Sequence, residues 1–177
     1  MPEPVRIKDI PENELTPEQA KVFKDLVAGR GRLLAPYRIW IHSPRLAAAL
    51  ETIGTFLNKK SSLTEREVEL VICIAANHWK GEYVWTVHVR TCVKLGIPQS
   101  VFDAIRAGQD PVLDNERERT VYDLTKIAMA PGAGSDEVFA RAERLLGRNG
   151  IAEVLALLGY YSSVSMGVKL HRVPVPA

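Results

Sequence analysis

Helix punctuation constrains this chain more than any other feature, because start and stop signals recur from one end to the other. Thr16, Pro17 and Gln19 read as an N-cap, an N1 proline and a capping-box partner. Ala20, Phe23 and Val27 then share one face, and Gly29 is placed to end the helix. Ser43 and Pro44 open a second helix, with Leu46, Leu50, Ile53 and Leu57 at apolar 4-3-4 spacing. Thr64 and Glu67 form another capping box, with Leu63 and Val68 as its hydrophobic staple. Helices are then predicted near 64–78, 81–95, 98–107, 115–130, 136–147 and 151–168, punctuated by Gly96, Gly108, Pro131 and Gly150, with Asp114 and Ser135 as candidate caps. No stretch alternates with period two between hairpin turns, so the expectation is an all-α fold of about eight helices around a central antiparallel helix hairpin.

Two segments fall outside this pattern. Residues 1–15 read as an extended N-terminal arm on a single helical domain at 16–177, draped over its own core or over a neighbouring subunit. Residues 29–43 form a long connection carrying Arg32, Tyr37, Arg38 and Trp40. A connection of that length is often functional, although Leu33, Leu34, Ile39 and Trp40 could equally plug the core. A faint echo relates the stretch near Gly96 to the one near Gly150, with Ala142 in the place of His88.

Composition narrows the partners. The 177 residues carry 23 basic and 21 acidic side chains, a net charge of +2, and the basic ones are dispersed along the chain. That balance calls for neither nucleic acid nor an anionic membrane. No uninterrupted apolar run reaches the eighteen or so residues of a membrane span, and the N-terminus lacks a signal-peptide core. Two cysteines make no disulfide framework, which suits a reducing, cytoplasmic setting.

The chemistry concentrates in residues 64–92. Glu69 opens a seven-residue apolar run, where a lone buried carboxylate is costly and should be paired or protonated. A short breaker at 77–81 makes the flanking helices antiparallel neighbours. With the turn centred near residue 79, Glu69 faces His88. Such a pair is either a proton-transfer dyad or a satisfied buried hydrogen bond. On the same register Cys73 and Cys92 are staggered by about 12 Å, at ~1.5 Å per residue, too far apart for a disulfide within one chain. Cys73 falls opposite Val84 and reads either as a small apolar filler or as a lone thiol near the site. His78, His88 and Glu69 lack the spacing of a helical ligand pair, so no metal is expected. The ERER cluster at 116–119 reads as a solvated first turn and GAG at 132–134 as a loop. Tyr160 and Tyr161 are expected to pack against a neighbour.

Over residues 60–108 the chain resembles the carboxymuconolactone decarboxylase family, which shares its all-helical fold with the alkylhydroperoxidase AhpD. Glu69 and His88 take the outer positions of the family's Glu, eleven residues, Cys, two residues, Cys, three residues, His pattern. Gly81 and Val84 stand where the cysteines would be, so the redox pair is missing. Tyr83 and Trp85 match the Tyr-Glu-Trp run of the decarboxylase branch, with Val84 replacing its Glu. The resemblance implies a cofactor-free enzyme acting by acid–base chemistry on a small lactone or carboxylic acid. In it His88 donates the proton, since imidazole exchanges protons near neutral pH, and Glu69 orients the ring. Arg32, Arg38 or Arg90 would clamp a substrate carboxylate, and Tyr83, Val84, Trp85 and Trp40 would line the pocket. It also implies a homo-oligomer, whether dimer, trimer or hexamer. The alternatives are a family peroxidase served by an external thiol, and a helical scaffold whose Glu–His pair is only structural.

Overall fold

A computed structural model describes residues 4–28, 33–132 and 134–176. Gly29, Arg32 and Ala133 of the expectations above lie outside these residues. The described residues form eight α-helices and no strand: α1 (Pro17–Val27), α2 (Ala35–Trp40), α3 (Pro44–Lys59), α4 (Glu65–Trp79), α5 (Glu82–Lys94), α6 (Gln99–Arg106), α7 (Glu116–Met129) and α8 (Asp136–Leu170). Both capping boxes are formed in full, Thr16 with Gln19 and Thr64 with Glu67. Ser135 caps α8 as expected, whereas Asn115 rather than Asp114 caps α7, its side chain accepting from the N–H groups of Arg117 and Glu118.

Helix α4 is the central element and packs on α5, α7 and α8. Every residue from Glu67 to Ala76 is buried, as its apolar run demands. The two carboxylates inside this stretch are both paired. Glu67 takes two hydrogen bonds from Arg117, at 2.8 and 3.2 Å, and Arg66 returns two to Glu118, at 2.6 and 3.0 Å. This crossed double bridge ties α4 to α7 and corrects the expectation of a solvated turn at 116–119, because Glu118 is buried. The geometry is bidentate, the strong form of an arginine–carboxylate contact.

Three further departures have local causes. A short helix, α2, forms inside the stretch expected to be a connection, with Pro36 at its N-terminal end and Tyr37 and Trp40 buried. The last helical segment bends at Gly147, at φ 67° and ψ 171°, rather than at Gly150, which is buried inside the helix. Helix α3 buries Ala47, Gly54 and Leu57, and leaves Leu46 and Ile53 of the predicted stripe half exposed. The extended arm lies on its own chain: the N–H groups of Arg6 and Ile7 donate to the His171 carbonyl, and Ile7 is buried. Helix α8 is long and apolar enough by composition to cross a membrane, and half of that apolar window is buried within the bundle. It also carries the buried Glu153, which accepts from the Ser62 N–H and hydroxyl at 2.8 and 2.5 Å.

Candidate functional site

The α4–α5 hairpin turns through only two residues, Lys80 and Gly81. Lys80 adopts the left-handed conformation, at φ 56°, and ends α4. Gly81 caps α5 and stands against α8, where a Cβ would lie 2.8 Å from Ser165 Cβ. The hairpin turn therefore lies closer to α8 than any side chain at position 81 permits.

Glu69 on α4 and His88 on α5 meet across this hairpin, with His88 Nδ1 2.7 Å from Glu69 Oε2. Their side chains are 12% and 19% exposed. A carboxylate only accepts, so Nδ1 carries the proton and donates it to Glu69. That leaves Nε2 with no hydrogen-bond partner among the described residues. Tyr161 on α8 stacks edge-on against the imidazole at 5.4 Å, and its hydroxyl donates to Asn58 Oδ1 at 2.9 Å, which holds that ring in place. Burial pushes the Tyr161 phenol well above its ordinary value.

The pair lies in the wall of a pocket of about 500 Å³, formed where α2, α3, α4, α5 and α8 converge. Valines and prolines supply most of the apolar lining. Tyr37, Thr55, Asn58, Tyr83, Tyr160, Lys59 and Glu65 bring hydroxyls, an amide, an ammonium and a second carboxylate. Of the residues singled out in the sequence, Glu69, His88, Tyr83 and Val84 come together here. Trp85 faces elsewhere, against Phe102 at 6.2 Å and under the Arg106 guanidinium at 4.5 Å. Arg38 is engaged by Asp9 through two hydrogen bonds, at 2.5 and 3.0 Å, beside a different cavity under the N-terminal arm. Trp40 sits behind the wall, between Tyr37 and Tyr160. Arg90 is exposed, with its guanidinium on the Pro176 carbonyl. No arginine lines the pocket among the described residues, and Lys59 is the cation that does. The α3 residues and Tyr160 escaped the sequence reading because they belong to elements far from the motif in the chain.

One expectation is overturned outright. Cys73 and Cys92 are not staggered beyond reach, since their sulfurs lie 3.6 Å apart as free thiols. The turn sits at Lys80 and Gly81, so the stagger is shared equally between the two pairs. Each pair, Glu69 with His88 and Cys73 with Cys92, is offset by four residues, about 6 Å. The thiols span the same height as the Glu–His pair, Cys73 level with His88 and Cys92 level with Glu69, and are wholly buried, and burial holds Cys73 well above the ordinary thiol value. Among the described residues no cluster of histidine, cysteine or carboxylate side chains could hold a metal ion.

No family model matches the chain, and no curated protein matches it. Solved structures do. An uncharacterized peroxidase-related protein from Silicibacter sp. TM1040 superposes with a TM-score of 0.74 at 14% identity, covering 99% of this chain and 94% of that one. A protein of unknown function from Agrobacterium tumefaciens, described as a putative antioxidant defence protein AhpD, gives a TM-score of 0.63 at 17% identity, covering 78% and 95%. The debrominase Bmp8 in complex with 2,3,4-tribromopyrrole gives 0.70 at 15% identity, covering 97% and 91%. The chain has the AhpD-like helical fold.

Proposed function

We propose that this protein is an enzyme of the AhpD-like fold that moves protons by means of His88, in a reaction of the carboxymuconolactone decarboxylase kind on a small lactone or carboxylic acid. The observation that carries this reading is the 2.7 Å Glu69–His88 hydrogen bond in the wall of a pocket of mixed apolar and polar lining. Glu69 fixes the imidazole tautomer and stabilises the imidazolium, so Nε2 can take a proton from one substrate atom and return it to another. A pocket of about 500 Å³ suits one small ring. Among the described residues Lys59, at the end of α3, is the cation that would meet a substrate carboxylate.

An AhpD-type dithiol peroxidase needs a reachable thiolate beside a second thiol. Gly81 and Val84 offer none, and the two cysteines present are sealed in the core, so peroxidase turnover would draw on an external thiol. Free, unbridged thiols suit a reducing, cytoplasmic setting, and the half-exposed Leu155 and Met166 of α8 offer a face for a homo-oligomer.

The test is carbon dioxide release from γ-carboxymuconolactone, with His88→Asn beside the parent protein. The expected result is turnover that the substitution reduces by at least about 100-fold, the usual scale for loss of a general acid or base, with the melting temperature nearly unchanged. Turnover that survives the substitution would defeat the role of His88. If neither protein turned over while His88→Asn melted much earlier, the pair would be structural and the chain a scaffold.

A further inference from the structure

The buried thiols form a nucleophilic pair that the Glu69–His88 site does not use. Cys73 on α4 and Cys92 on α5 stand nineteen positions apart in the chain, yet their sulfurs lie 3.6 Å from each other. The chain has two cysteines, so neither has a rival partner within it. The hairpin that carries them is tied at both ends. At one end is the turn at Lys80 and Gly81, and at the other the Arg66 guanidinium on α4 donates to the Leu95 carbonyl just past α5, at 3.0 Å. Between these ties neither helix swings away, so each thiol meets the other at a high effective concentration.

The surroundings favour a bond between the sulfurs over a charge on either. Leu70, Ile74, Val89, Ile97, Val101 and Phe102 cluster with the two cysteines in one apolar core. A thiolate is costly in such a place, and burial accordingly pushes the Cys73 thiol up. A disulfide carries no charge and no polar hydrogen, so the burial that opposes ionisation does not oppose a bridge. Bonded sulfurs stand about 2.05 Å apart, so closure takes up about 1.5 Å, shared between two side chains.

We infer that Cys73 and Cys92 are an intramolecular disulfide site, a two-electron redox pair whose oxidised form clamps α4 to α5 at the height of Glu69 and His88. The inference stands apart from the acid–base reading of the pocket. The oxidant is a small-molecule disulfide such as glutathione disulfide. When the core opens locally, one cysteine thiolate attacks it, forming a mixed disulfide and releasing one glutathione thiolate. The second cysteine thiolate then attacks the protein sulfur of that mixed disulfide, which forms the Cys73–Cys92 bond and releases the second glutathione thiolate. Two protein thiols lose two protons and two electrons, and one glutathione disulfide becomes two glutathiones. The fold then recloses over the bridge. Opening limits the rate, because the thiols are sealed in the core, and the fold sets the equilibrium.

The test brings the full chain to equilibrium with reduced and oxidised glutathione, once a few degrees below its melting temperature, where the core opens often, and once in urea. Acid quenching and intact mass then separate the bridged chain, lighter by two hydrogens, from chains carrying glutathione. The equilibrium constant for bridging should be about ten- to a hundredfold larger in the folded protein than in urea, the span of a native disulfide that closes a loop of this length. By linkage the bridged protein should melt about 3–10 °C above the reduced one, and dithiothreitol should reverse the rise. Cys73→Ala and Cys92→Ala should each take up one glutathione and never lose two hydrogens, whereas His88→Asn should bridge as the parent does. A constant no larger in the folded protein than in urea would overturn the inference. So would a bridged protein that melts at or below the reduced one, two glutathiones on each chain in place of the bridge, or bridges between chains only.

Discussion

Gly81→Ala tests whether the α4–α5 hairpin is as closely joined to α8 as the packing implies. A Cβ built at position 81 lies 2.8 Å from Ser165 Cβ and 3.1 Å from both Ser165 Cα and Oγ. Two of these atoms cannot rotate away, since Cα and Cβ are fixed by the helix, so α5 or α8 must shift. Overpacking of this kind costs about 1–3 kcal/mol. Gly81 has an ordinary φ of −83°, so alanine meets no backbone strain and recovers about 0.5 kcal/mol from the reduced freedom of the unfolded chain. The net loss is about 0.5–2.5 kcal/mol, or roughly 2–8 °C in melting temperature at ~3 °C per kcal/mol for a chain of this size. Thermal unfolding followed by circular dichroism reads it directly. Ser165→Ala should not rescue the variant, because the Cβ responsible remains, whereas Ser165→Gly should recover part of the loss. A Gly81→Ala protein that melts at or above the parent temperature would refute the close contact. The same geometry bears on function, since it bars a cysteine from this position without rearrangement.

The remaining predictions concern ionisation and the thiols. Burial raises the phenol values of Tyr37 and Tyr161, and Tyr122 is raised for the same leading reason. The unfolded chain therefore loses these protons first. Their contribution to stability is complete below the ordinary tyrosine value of about 10 and declines as pH rises above it. Melting temperature should fall above pH ~10, and a tyrosinate absorbance titration should show these rings ionising only as the protein unfolds. Cys73 and Cys92 should react with an alkylating reagent at one common, denaturation-limited rate, because both are wholly buried. Rapid native-state modification of either would contradict that burial.

Much of the fold could be read from residues whose signals are local. The two capping boxes work within four residues of backbone, and the run from Val68 to Ala76 is too apolar to lie anywhere but the centre. The Glu69–His88 pair was legible because both partners lie on one hairpin. What was illegible was set by tertiary contact. Helix α2 has only six residues, too few to display an apolar period, and its Tyr37 and Trp40 are buried by neighbours on other elements. The turn at Lys80 requires a lysine in a left-handed conformation, which no residue preference announces, and a misplacement of one to two residues there was enough to separate the cysteines on paper. Tyr160 reads from sequence only as a packing residue, because Gly54, which admits its hydroxyl beside the pocket, is 106 residues away in the chain.

The central claim is that Glu69 holds His88 with Nδ1 protonated and Nε2 turned to the pocket. The ring ¹⁵N shifts of His88, assigned by comparison with His88→Asn, measure this without any substrate. The neutral imidazole should carry its proton on Nδ1 in the parent protein, and Glu69→Gln should lose that bias while the fold is retained. A His88 ring protonated on Nε2 in the parent protein, or a tautomer indifferent to Glu69, would contradict the account.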